Sequence, residues 1–232
     1  MKETPDGSKT SEFYNDFHKE KNNREDSYGM TIVEMATANL DFHTVLDAGC
    51  GQGAVVRDFL KNGYDAVGID ISDWAVNAQN QKLADQGRMF VGSLDQLPFP
   101  DNSFDLVFSS DVLEHIPENR IPTVASEIVR VCKKHIFLSI SLRPSSQNNK
   151  FHITLKPREW WEQQFLVAGA VKNDELRNKL QKLAAGASVE EIIRQGPARF
   201  IADEMQWFFD EPPYDFNGEL EPWLFTFTVS EK

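Results

Sequence analysis

Residues 45–53 carry the feature that most constrains this chain: the apolar Val45 and Leu46 lead into Asp47 and Ala48, and glycine then recurs at Gly49, Gly51 and Gly53. Glycine at alternate positions after a strand lets the chain turn sharply and lets backbone N–H groups approach a bound molecule with no Cβ in the way. Asp47 at the strand end puts a negative charge where a phosphate-binding loop avoids one. The ligand expected here carries positive charge or offers hydroxyl and amine donors.

Downstream, strand and helix patterns alternate. Ile32, Val33, Met35, Ala36 and Leu40 recur at helical spacing, and 44–46 read as a first strand. Val56, Phe59 and Leu60 stripe a helix that Gly63 ends, and 66–69 form a second strand closing at Asp70. Ser72 can cap a helix from Trp74 to about 84, and 89–91 make a third strand. Pro98, Pro100, Asp101 and Asn102 mark a turn before a fourth strand at 104–108. Ile121, Val124, Ile128 and Val131 stripe another helix, and 136–142 give a fifth strand. Such alternation predicts right-handed crossovers and an α/β, Rossmann-like, doubly wound parallel sheet. Beyond it a polar loop at 145–149, a helix from Pro157 to Phe165, a helical stretch at about 173–195 and strands at 205–209 and 223–229 are expected; Trp223, Phe225, Phe227 and Val229 alternate in the last.

The 232 residues suit one domain, taken as 28–232 with a helical cap at about 143–200. Residues 1–27 form a polar segment, partly disordered or folded over the ligand through Phe13, Tyr14, Phe17 and His18; packing of that cluster on the domain is the plainer alternative. A net charge of −12 disfavours a nucleic-acid partner, since phosphate-backbone affinity comes from Lys and Arg. Lys133, Lys134, Lys156 and Arg158 form the one suggestive basic cluster and read as a solvated face. Cys50 and Cys132 have neither metal-ligand spacing nor a plausible disulfide partner, so both are expected reduced. No run approaches the ~18 apolar residues of a membrane span, and the start lacks a signal-peptide core, so a soluble cytoplasmic protein, monomer or homodimer, is expected.

VLDAGCGQG at 45–53, Asp70 in AVGID and LPFPDNSFDLVFSSDVLEHI at 97–116 together resemble a class I S-adenosylmethionine-dependent methyltransferase, over roughly residues 30–142. The resemblance implies a seven-stranded sheet, mostly parallel, with an antiparallel C-terminal hairpin and a helical insertion after the fifth strand. It implies S-adenosyl-L-methionine as cofactor and S-adenosyl-L-homocysteine as product. Asp70 is then the clamp for both ribose hydroxyls, because a carboxylate accepts two hydrogen bonds. Ile71 and Leu94 lie against the two faces of adenine, and Asp95, after Ser93, accepts from its amine. Asp47, Ala48, Gly49, Gly51 and Gly53 receive the methionine and ribose portions, with Ser110 nearby after the fourth strand.

A nicotinamide-dinucleotide enzyme is the rival, because Gly49, Gly51 and Ala54 also fit the G-x-G-x-x-G/A spacing and Asp70 follows about twenty residues on. Asp47 argues against it, since a carboxylate repels a pyrophosphate and attracts an ammonium or sulfonium. A noncatalytic nucleotide-binding module is the other alternative.

Methyl transfer needs donor and acceptor in contact and, for a hydroxyl acceptor, somewhere to send a proton. His115 is the candidate base, or else a capping or packing histidine. Asp111 holds the acceptor, orients a histidine, or is a helix N-terminal acid. His152, an odd polar residue in FHITL, reaches the same pocket from the opposite wall or is a satisfied surface or core histidine. Arg158, Trp160 and Trp161 offer a guanidinium and flat faces suited to a sugar, and HITLKPREWWEQQF resembles segments of glycan-modifying methyltransferases. The acceptor is therefore expected to be a small molecule or carbohydrate, with O-methylation of a glycan hydroxyl the first reading and N-methylation of a small amine the second. Ser110, Asp111, Val112 and Leu113 stand where nucleobase-amine methyltransferases carry Asn or Asp followed by Pro-Pro and an aromatic, which disfavours that class. No set of carboxylates beyond those given to the cofactor converges in the sequence, so no metal is expected.

Overall fold

The computed structural model describes residues 11–20, 33, 36–78, 81–142, 151–177 and 224–230. Its elements in chain order are α1 (Ser11–Glu20), β1 (Thr44–Ala48), α2 (Ala54–Lys61), β2 (Asp65–Asp70), a π-helical turn (Trp74–Ala78), α3 (Gln81–Asp85), β3 (Met89–Val91) and β4 (Phe104–Ser110). Two 3-10 turns, Leu113–His115 and Glu118–Arg120, lead into α4 (Ile121–Val131), followed by β5 (Cys132–Ser139), α5 (Arg158–Val167), β6 (Val171–Lys172) and β7 (Leu224–Thr228).

The seven strands form one sheet in the order β3-β2-β1-β4-β5-β7-β6. β1 to β5 pair in parallel, whereas β7 runs antiparallel to both β5 and β6. Strand order reverses between β1 and β4, which opens a crevice beyond their carboxyl ends, where open α/β sheets take their ligands. This is the doubly wound class that the alternation predicted.

The apolar runs of β1 and β4 are buried on both faces because successive side chains point to opposite sides. Leu46 and Val107 join the layer with Val124, Ile128 and Trp161, while Val45, Leu106 and Phe108 join Val56, Phe59 and Phe137 on the other side. Complete burial of a side chain such as Phe59 stabilises by about 1.5–3 kcal/mol. Gly63, at φ +86°, ends α2 as its position suggested.

Several expectations move. The helix expected from Trp74 to 84 is broken into the π-helical turn and α3, although Ser72 does cap its start, its Oγ accepting from the Ala75 N–H at 3.1 Å. The fifth strand is Cys132–Ser139, not 136–142: the half-buried Lys133, Lys134 and His135 occupy its opening turns at the sheet rim, where Lys134 Nζ lies 3.4 Å from an Asp105 oxygen. The antiparallel pair at the far edge has Val171–Lys172 as its outer strand. β7 is buried at four successive positions instead of on one face, because it lies inside the sheet with Phe227 stacked on Phe165 of α5 at 5.0 Å. Residues 1–10, the loop at 145–149, the strand at 205–209 and most of the helical stretch at 173–195 lie outside the described residues, as do Ile32, Met35 and Trp223.

Candidate functional site

The glycine loop is built on backbone conformations that only glycine adopts without strain: φ is +89° at Gly49, +49° at Gly51 and +70° at Gly53. At Gly49 space forbids a side chain as well, since a Cβ would stand 2.4 Å from Cγ2 of Val112. The Gly49 N–H donates to the Ile69 carbonyl at 2.8 Å, tying the loop to the end of β2. Asp70 closes that link, accepting from the Gly51 N–H on Oδ2 and from the Ser72 N–H on Oδ1, both at 2.8 Å. Its carboxylate is thereby fixed in direction, and each oxygen keeps acceptor capacity for a further donor. Asp47 lies one strand over and is buried. Burial, then the nearby Asp70, pushes its pKa up to about 8. The expected negative charge at Asp47 is therefore held back by its surroundings at neutral pH; a cation arriving beside it would draw the proton off.

Helix α1 packs onto this loop. Asn15 Oδ1 accepts from Ser72 Oγ at 2.7 Å and from the Trp74 N–H at 3.0 Å, while Gln52 Nε2 donates to the His18 carbonyl at 3.4 Å. The His18 ring stands 3.1 Å from where a Gly51 Cβ would be. Phe13 and Phe17 both contact Phe151, at ring separations of 5.7 and 5.4 Å. Tyr14 has its phenol pKa raised by burial and by the negative neighbours Asp70 and Glu114, so it sits within electrostatic reach of both ends of the crevice.

The third-strand exit differs from expectation. Asp95 accepts from Arg120 Nε at 2.8 Å, and Arg120 Nη2 also donates to Ser93 Oγ at 2.9 Å. Burial raises the Asp95 pKa, but the Ser93 hydrogen bond and the Arg120 guanidinium outweigh it and hold the carboxyl below its usual value. A residue given to the adenine amine is thus already engaged by a cation. Leu94, expected against adenine, is buried in the core with Leu97 and Ile69. Ala48 is fully buried and its carbonyl accepts from Ser109 Oγ at 2.6 Å. Ile71 is half-buried directly after Asp70, and Ser110 half-buried at the end of β4.

Beyond β4 the chain turns through Asp111, a non-glycine residue at φ +53°. Ser139 Oγ donates to its Oδ1 at 3.2 Å. The following 3-10 turn carries Glu114, fully buried, which sequence reasoning missed. Its Oε1 accepts from the Ser141 N–H at 3.0 Å, and its carbonyl accepts from the Ile153 and Thr154 N–H groups, stitching the 151–154 segment beneath β4. Burial and the adjacent Asp111 raise the Glu114 pKa, and His152 opposes them. His115 and His152 come together, as expected of opposite walls, with ring centroids 5.0 Å apart. The His115 Nδ1 lies 2.8 Å from the Phe151 carbonyl oxygen; as donor there, Nδ1 carries the proton and Nε2 keeps its lone pair.

The residues proposed for a sugar are not gathered here. Trp161 is fully buried in the core and Arg158 is buried against Glu162, its Nε donating to Oε1 at 2.7 Å and its Nη1 to the Leu224 carbonyl at 2.9 Å. Its guanidinium lies 4.2 Å from the Phe225 ring centre. Together they lock α5 to β7. Trp160 is half-buried with Lys156 over its ring. Arg158 also withdraws from the suggested basic cluster. Both cysteines are buried free thiols. Among the described residues, no helix is long and apolar enough to cross a membrane.

Comparison with known proteins agrees with this geometry. Residues 46–140 match the family described as Methyltransferase domain. The sterol 24-C-methyltransferase ERG6B of Gibberella zeae is 37% identical over 95 residues, covering 38% of this chain and 24% of that protein. A probable chloroplastic tocopherol O-methyltransferase of Oryza sativa subsp. japonica is 39% identical over 95 residues, covering 38% and 25%. The chain thus spans about a quarter of the length of the curated relatives it matches. Among solved structures, Haemonchus contortus phosphoethanolamine N-methyltransferase 2, in complex with S-adenosyl-L-methionine, superposes with a TM-score of 0.57 at 16% identity, covering 96% of this chain and 58% of that one. The PH0226 protein of Pyrococcus horikoshii OT3 superposes at 0.52 with 19% identity, covering 68% and 91%. Over residues 46–140, less than half of the chain, this protein is thus similar to methyltransferases, and the solved structures named here share its fold.

Proposed function

We propose that this protein transfers the methyl group of S-adenosylmethionine to a small-molecule acceptor through a heteroatom that gives up a proton, a hydroxyl being the first reading. One observation carries it: the glycine loop after β1 meets the turn that carries Glu114 and His115, a Gly49 Cβ falling 2.4 Å from Val112 Cγ2, and His152 joins that turn with its ring 5.0 Å from His115.

The residues fit the cofactor. The left-handed glycines leave backbone exposed where a Cβ would intrude, Asp70 has a fixed carboxylate for ribose hydroxyls, and the buried Asp47 gains a counter-charge from an amino group. S-adenosylmethionine, when bound, supplies a methyl group activated on a positively charged sulfur. Gly49, Gly51 and Asp47 hold its amino-acid portion and Asp70 its ribose, with Ile71 beside the base. For Asp95 the reading is revised: the Asp95–Arg120 pair shapes the wall of the adenine site, and an adenine amine competes with Arg120 for its oxygens. Helix α1 acts as a lid that excludes water, since its Asn15 holds Ser72 beyond Asp70 and its His18 carbonyl accepts from Gln52 in the loop. At the acceptor end, His115 and His152 receive or relay the proton. Asp111 orients them from the turn.

The glycan reading loses its support, because Arg158 and Trp161 are committed to packing. The relatives named above are a sterol and a tocopherol methyltransferase, which supports an acceptor with a large apolar body. The domain is proposed to extend over 28–232; α5 and β6, which fall inside the span expected as a helical cap, belong to the sheet and its packing layer instead.

Calorimetry with S-adenosylhomocysteine and with NAD tests the cofactor half. Binding of the first alone is expected, with Asp70→Ala weakening it by at least about a hundredfold through loss of charge-assisted bonds; affinity for NAD alone, or native affinity in the variant, would overturn it. A labelled-cofactor screen of sterols, phenols, sugars and amines then identifies the acceptor. With it in hand, His115→Ala is expected to lower turnover by about 10²–10⁴ while changing S-adenosylhomocysteine affinity little; unchanged turnover removes His115 from the proton's path.

A further inference from the structure

We infer that Glu114, His115 and His152 form a binding site for a divalent transition-metal ion at the acceptor end of the crevice. One potential ligand atom from each lies within 4.8 Å of the other two. Bonds of about 2.0–2.2 Å put the ligands of a tetrahedral ion roughly 3.4 Å apart, so a small inward movement of two half-buried rings completes the geometry.

Three further observations support a cation. Glu114 is fully buried, and among the described residues its Oε2 has no hydrogen-bond partner although Oε1 is satisfied by the Ser141 N–H. A buried carboxylate oxygen left in this state is costly unless something positive meets it. The His115 Nδ1 is turned to the Phe151 carbonyl, which is the outer bond that metal-ligating histidines characteristically make and which leaves Nε2 as the nitrogen to bind the ion. Asp111, which accepts from Ser139 Oγ at 3.2 Å, adds a second carboxylate three residues before Glu114.

Two imidazoles and one carboxylate select zinc, manganese, iron or cobalt over magnesium or calcium, which prefer all-oxygen shells. Three protein ligands leave a position open. With the ion bound, the imidazole lone pairs are spent on it, so His115 and His152 position the ion instead of taking the proton; an acceptor oxygen entering the open position would be oriented and made acidic enough to release its proton to water at neutral pH. This role rests on the methyl-transfer reading; the metal site itself does not.

The test uses the full chain, stripped with chelator and titrated with Co²⁺ followed by visible absorption, and with Zn²⁺ by calorimetry. One equivalent is expected, with a Co²⁺ spectrum of nitrogen-rich, low-symmetry coordination, and His152→Gln and Glu114→Gln each weakening affinity at least tenfold. Native S-adenosylhomocysteine affinity in the same samples reports an intact fold and an intact cofactor reading. No saturable metal binding in wild type that still binds S-adenosylhomocysteine would overturn the site and leave methyl transfer standing. Equal metal affinity in both variants would also overturn it. Saturable, variant-sensitive metal binding without S-adenosylhomocysteine affinity would uphold the site and sink the methyl-transfer reading instead.

Discussion

Asp47 is where the site's electrostatics become measurable. Its folded pKa of about 8 stands above the ordinary 3.8, because burial and Asp70 both disfavour the charged form. The folded state therefore holds a proton that the unfolded chain has lost over that interval. The resulting stabilisation is complete below about pH 4 and disappears as pH rises through 8. Melting temperature measured between pH 5 and 8 should fall more steeply in wild type than in Asp47→Asn, the difference corresponding to roughly 2–4 kcal/mol. Parallel curves would show that Asp47 is charged in the folded protein. The same proton explains how one carboxylate can lie beside Asp70 without forcing the glycine loop apart, and why a ligand ammonium should release it on binding.

At the scale of elements, α1 is the piece whose role is easiest to isolate. Asn15 satisfies Ser72 and Trp74 at once, so it caps the Trp74–Ala78 turn from another element as an N-cap residue does from its own. Asn15→Ala is expected to cost about 0.5–2 kcal/mol. The loss should appear as faster amide exchange at Gly51–Gly53 and weaker S-adenosylhomocysteine binding, with exchange in β4 and β5 unchanged. Equal acceleration everywhere would make α1 mere packing. The aromatic cluster of α1 was legible in the sequence, but its seat was not, because Asn15 and Ser72 are joined only in three dimensions. β1 and β4 were legible because both-face burial writes itself as short apolar runs, β2 and β3 because their apolar residues stand between turn signals, and the glycine loop because its φ values admit little else. β5 was displaced since Lys133, Lys134 and His135 look like loop, and two-residue β6 carries no pattern at all. In the site, Glu114 was hidden among apolar neighbours; the charge standing between Leu113 and Ile116 was the available signal. Arg120 gave none, being far in sequence from the Asp95 it pairs with.

For the molecule as a whole, a net charge of −12 sets what it can approach. Fluorescence-anisotropy titration with RNA and DNA duplexes at low salt should show no binding that salt removes, because few cations are available to displace condensed counterions; tight, salt-sensitive binding would reverse that partner assignment. The sheet's far edge has an effect of a different kind. Val171 meets Thr228 57 residues further on, with β7 slotted between β5 and β6. Those two partners are joined through the chain between them, and closure entropy grows only slowly with the length of such a connection. Lineages could therefore lengthen or rewrite that connection to suit new acceptors while the half of the fold that grips the methyl donor stays as it is.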